Sequence, residues 1–74
     1  MEIVGQGDMP GTVEMIPWFE LGYEHEGVHW KQRFYCLPGD SESIYVLRAQ
    51  ASVDVADTVF EAADLVASSF RPAT

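Results

Sequence analysis

A single cysteine, four basic side chains and the want of any long apolar run set the first limits on this 74-residue chain. With Cys36 alone no internal disulfide can form, which excludes a stapled secreted miniprotein. Four lysines and arginines against twelve acids leave a formal charge of −8, repelling phosphate backbones and anionic lipid alike and arguing against nucleic acid as a partner. No segment approaches the roughly 18 apolar residues of a membrane span, so membrane insertion is not expected. Met1 leads into Glu2 and a glycine-rich stretch, not the basic and then apolar residues of a signal peptide, and the expected location of the chain as given is cytoplasmic. Gly5 to Gly11 has neither the lysine nor the hydroxyl of a phosphate-binding loop.

What remains is one small domain. At this size a chain buries only about 60% of the surface its unfolded form exposes, so its stability is expected to be marginal and burial against a partner or a second copy would add to it. The acidity reads first as ordinary solubility, and beyond that as a preference for basic partners or as mimicry of nucleic-acid charge.

Asp54 to Phe70 reads as the one helix, and residues 53–70 are assigned to it. Ala56, Val59, Phe60, Ala63, Val66, Ala67 and Phe70 form a stripe roughly 120° wide at about 100° per residue. Asp57, Glu61, Asp64 and Ser68 fall opposite, Ser52 or Asp54 is placed to cap the N-terminus, and Pro72 stops the helix.

Residues 12–51 read as a β meander after a loop-rich segment at 1–11. Thr12 to Ile16 and Trp18 to Glu24 are strand-like with Pro17 bending them, and Val28 to Leu37 follows across a Glu26-Gly27 hairpin turn. The register this turn implies sets His25 against Val28, Tyr23 against Trp30, Leu21 against Gln32 and Phe19 against Phe34 on an aromatic face. On the other face it pairs Glu24 with His29 and Glu20 with Arg33. Leu37 to Glu42 is a turn, and Ser43 to Ala51 a further strand. That strand has Ile44 and Val46 on one side and Tyr45, Leu47 and Ala49 on the other, a pattern that expects cover on both sides when one helix supplies only one.

Candidate chemistry is thin. His25-Glu26-Gly27-Val28-His29 has the letters of the zinc-peptidase H-E-x-x-H motif, but that site needs both histidines one turn apart on a helix, and here two glycines and the hairpin register oppose it. Cys36 on the aromatic face reads as a small apolar filler rather than a nucleophile. Glu20, Glu24 and Glu26 read as charge pairing rather than a cation site. No catalytic residue, metal or cofactor is expected. The residues singled out for binding are Trp18 and Tyr35, offering apolar area on the hairpin's charged side, with Tyr45 and Leu47 from the last strand. On the helix they are the acidic ridge Asp57, Glu61 and Asp64 and the lone outward Leu65.

A strand with Trp30, then Gln32-Arg33-Phe34-Tyr35, a Pro38-Gly39 turn, Tyr45-Val46-Leu47 and a closing helix with Phe60 and Ser68-Ser69-Phe70 together resemble the C-terminal half of PsbP-like domains. Among these the chain looks most like the actinobacterial LpqN-type lipoproteins and the bacterial domain found in type VI effector-associated chaperones. The resemblance implies an antiparallel sheet flanked by helices, no catalytic residues and a binding role as adaptor or chaperone. Beside a full domain of that kind the chain has no N-terminal helix or lipobox cysteine. The expectation is therefore either a truncated gene product or a half-domain that dimerises, envelope-associated only as a fragment of a longer lipoprotein-like chain.

The expected fold is α+β, an antiparallel sheet of three to four strands with one C-terminal helix on one face. The expected function is non-enzymatic protein binding, to a partner or to the chain's own copy. A small acidic inhibitor or nucleic-acid mimic is the alternative, and a zinc metallopeptidase the remote one.

Overall fold

Alternating strand patterns joined by short turns can close only on neighbouring strands, and the chain does so in sequence order. The computed structural model describes residues 2–39 and 43–71. It has strands β1 (Glu2–Pro10), β2 (Met15–His25), β3 (Val28–Pro38) and β4 (Ile44–Ser52), then helix α1 (Ala56–Ser69). The strands form one antiparallel sheet in the order β1-β2-β3-β4, and the helix packs on one side of it, making the fold α+β.

The central hairpin has the expected register throughout, from His25 opposite Val28 to Phe19 opposite Phe34 and on to Trp18 opposite Tyr35. Glu26 and Gly27 both adopt positive φ, 51° and 79°, the twist that suits a two-residue connection between right-twisted strands. The ladder from β2 to β3 begins at Trp18, one residue after Pro17, which has no N–H to donate, whereas the pairing with β1 runs through Pro17 opposite Asp8.

Three element assignments differ from the sequence reading. Residues 2–10, expected to be loop, form β1, with a bulge between Ile3 and Gly5. Their glycines are strand positions facing a large ring. A Cβ on Gly7 would lie 3.3 Å from the Trp18 ring, and one on Gly5 3.4 Å, so the bare backbone lets the indole lie flat across β1. Conversely, Thr12 to Glu14, expected to begin a strand, are bends, and β2 starts at Met15.

The helix starts later than expected. Val55 occupies the N-cap position with no side-chain hydrogen bond, so neither Ser52 nor Asp54 caps it, although the Ser52 carbonyl accepts from Val55 N–H at 3.1 Å. The expected stop at Pro72, and residues 40–42 of the expected turn, lie outside the described residues.

Ile16, Tyr35, Leu37 and Ala67 form the main core, and Ala51, Ala56 and Phe60 a second cluster at the helix start. Both lie between the helix and the same side of the sheet. Side chains alternate along strands, so this side carries Ile16, Trp18 and Glu20 of β2, Arg33, Tyr35 and Leu37 of β3, and Leu47, Ala49 and Ala51 of β4. The helix thus covers the face that pairs charges, and the aromatic face is left open. Within the helix Val66, expected to be buried, is 56% exposed, while Asp64, expected to face solvent, turns toward the sheet. Both shifts amount to rotating the buried stripe by about 40°.

One helix about 10 Å across cannot cover four strands spanning about 19 Å. The Cα radius of gyration, 13.2 Å, exceeds the roughly 11 Å usual for this length, in keeping with a sheet largely covered on one side only. Among the described residues no helix is long and apolar enough to cross a membrane.

Candidate functional site

Two places hold more than packing. The first lies beneath the helix, where Glu20 is a buried acid at 6% exposure. Its burial is compensated by Arg33, which donates to Glu20 Oε1 through Nε at 3.0 Å and Nη2 at 2.7 Å, while Lys31 Nζ stands 3.7 Å from Oε2. Arg33 also reaches the helix through Nη1 to Asp64 at 3.3 Å, and the Tyr35 hydroxyl donates to the same Asp64 oxygen. The guanidinium lies between two rings, 4.8 Å from the centroid of Trp18 and 4.5 Å from that of Phe60. Burial and the bond to Asp64 push the Tyr35 phenol up to about 12.

All described buried polar side-chain atoms have partners. The cluster therefore ties helix to sheet: an acid from β2, a guanidinium and a phenol from β3 and an acid from α1 close around one cation. The Glu20–Arg33 element of it was readable from the hairpin register. Asp64 was not, because the helix alone places it on the polar side.

The second place is the open face. Phe19 and Phe34 stack with centroids 4.8 Å apart and planes 11° from parallel. Register puts Leu21, Tyr23, Trp30 and Cys36 on the same side, continued by Val46 and Ile44 of β4, which are 60% and 68% exposed. Among its polar members, Gln32 Nε2 donates to Gln50 Oε1 at 2.9 Å and to the Tyr23 hydroxyl at 3.3 Å. A shallow hollow lined by Ile3, Gln6, Asp8, Pro17 and Phe19 extends it over β1.

The residues singled out from sequence are divided between interior and far side. Tyr35, expected to offer apolar area, is fully buried, and Trp18 is half-buried against β1 and Arg33. Leu47 is half-buried under the helix, and Tyr45, 47% exposed, meets the Phe70 ring edge-on at 5.6 Å. Asp57, Glu61 and Leu65 are exposed on the helix, whereas Asp64 is held by Tyr35 and Arg33. His25 and His29 point to opposite faces, His29 pairing with Glu24 at 3.4 Å, and among the described residues no three His, Cys, Asp or Glu side chains converge as metal ligands.

Comparison of the chain with protein families, with curated proteins and with solved structures finds no match to any of them. The class this fold defines is thus one of architecture, a four-stranded antiparallel meander with one helix on one face.

Proposed function

We propose that this chain is a non-enzymatic protein-binding module, of the adaptor or chaperone-like kind, and that its uncovered aromatic sheet face is the binding surface. One observation carries the reading: a continuous row of rings and aliphatic side chains lies on the side of the sheet opposite its only described helix. Fully buried interface centres are enriched in Phe, Tyr and Trp and poor in charge, and this face has that composition. β4 supports it, since Ile44 and Val46 have the pattern of a strand covered on both sides and are exposed. Mimicry of nucleic-acid charge has less support, because Arg33 holds Glu20 and Asp64 in ion pairs.

The test is photocrosslinking in the cells that make the protein, with a photoreactive side chain at Val46 and, as control, at the equally exposed Leu65. Adducts at Val46 well above those at Leu65 are expected. No excess at Val46, or adducts at Leu65 alone, would overturn the reading.

A further inference from the structure

Resting on that reading, we propose that the occupant of the open face is a second copy of this chain. The two sheets pack face to face about a two-fold axis running along the strands, so that β1 of each copy lies over β4 of the other.

Charge is the first argument. Of the twelve acids, Asp8 is the only described one whose register places it on the open face, opposite Pro17 on β1 at the sheet's edge. Arg48 is the only described lysine or arginine there, at the other edge on β4, opposite Phe34. Pro17 is two residues from Phe19, and Phe19 pairs with Phe34, so Asp8 and Arg48 sit one two-residue step apart, about 7 Å along the strands. Counted over the described residues, the face is neutral, although the chain carries −8. A two-fold axis along the strands brings each Asp8 toward the Arg48 of the other copy, twice per pair, and turns the acids of the helix and of the helix-covered face outward. A basic partner would find little on this face to pair with.

Self-complementarity is the second. The axis passes between β2 and β3, where Phe19 and Phe34 stack, so the same two rings from each copy meet at the centre, as an isologous interface requires. Gln32 and Gln50, which would be buried with them, already bond each other, which lowers the cost of burying the pair.

Area is the third. Nine-residue outer strands of about 30 Å across a sheet about 19 Å wide give a footprint of about 600 Å² per copy, or about 1,200 Å² for the pair, the lower bound of a specific interface.

Sedimentation equilibrium of the purified chain, with and without added salt, tests this. A dimer is expected, and salt should strengthen it by screening the outward acids, the reverse of what a basic partner would show. Val46→Glu, at a side chain 60% exposed in the single copy, should leave the circular dichroism unchanged and raise the dimer dissociation constant at least tenfold. Asp8→Arg and Arg48→Asp should each weaken the dimer and the double swap restore it. A monomer at every concentration up to about 1 mM overturns the self-pairing. If that monomer still crosslinks to another protein through Val46, the binding reading stands, and if it gives no adduct both fall. A dimer insensitive to Val46→Glu overturns the choice of face, and one sensitive to Val46→Glu but indifferent to the charge swaps overturns the axis.

Discussion

Replacing Arg33 by methionine tests how helix and sheet are held together. Methionine keeps much of the length and apolar bulk that fills the gap between Trp18 and Phe60, and removes the charge. The arm to Glu20 is the larger loss: Glu20 is 9% exposed at its side chain and would keep only Lys31 at 3.7 Å, and stranding a buried charge in this way costs about 3 kcal/mol. The arm to Asp64 is worth less, about 0.5 kcal/mol, because Asp64 is 43% exposed at its side chain and can rehydrate. The sum, about 3.5 kcal/mol, must be set against a domain of 74 residues whose whole stability is about 4–11 kcal/mol. Urea unfolding followed by circular dichroism, at fixed protein concentration because association would shift the midpoint, should show the midpoint falling by about 3.5 M at a slope of about 1 kcal/mol/M. The double variant Glu20→Leu with Arg33→Met removes the stranded charge and should recover at least about 2 kcal/mol of the loss. An Arg33→Met protein within about 0.5 kcal/mol of the parent, or a double variant whose loss is the plain sum of the single ones, would refute the reasoning.

Two further expectations follow from single residues. Tyr35 ionises near 12 in the folded chain against 10.0 for a free phenol, so its contribution to stability is whole below pH 10 and drains away as the pH rises toward 12, where the unfolded chain ionises first. Spectrophotometric titration should show one of the three tyrosines ionising late, and Tyr35→Phe should flatten the fall of unfolding free energy across that window; an unchanged slope would place the phenol in solvent. Glu26 holds φ 51° at the hairpin turn with its side chain exposed, and Glu26→Asn, better suited to that conformation, should raise stability by about 0.5 kcal/mol, a loss instead implying a different turn.

The hairpin was legible because three local signals agreed on it: a two-residue turn, aromatics paired on one side and opposite charges paired on the other. β1 was not, because glycines at 5 and 7 are turn residues by composition and become strand residues only once the Trp18 ring is known to lie across them. The helix was legible in extent to within a turn, but not in rotation. Its stripe has a weak edge at Val66 and a polar neighbour at Asp64, and the choice between them is made by Arg33 and Tyr35, thirty residues away in sequence. Tyr35 shows the same limit from the other side: among charged neighbours on its strand it reads as surface, and it is the most deeply buried large side chain because a helix lies on it.

The face the helix occupies decides everything proposed here, and β4 contains the reason for it. Taken over its whole length, β4 is apolar on both sides only at its start. Further along, its even positions are Arg48, Gln50 and Ser52, while its odd ones are Leu47, Ala49 and Ala51. A helix whose inner stripe is Ala56, Phe60, Ala63 and Ala67 needs small apolar neighbours for close approach, and only the odd side provides them. Antiparallel register then carries that choice across the sheet, from Ala49 to Arg33 and from Leu47 to Tyr35, and so to Glu20 and Trp18. The buried guanidinium is a consequence of that seat, and so is the exposure of the aromatic side. Two alanines on the last strand commit the helix to the charged face and leave Phe19 and Phe34, each half-buried by its sheet neighbours, on the face the helix does not cover.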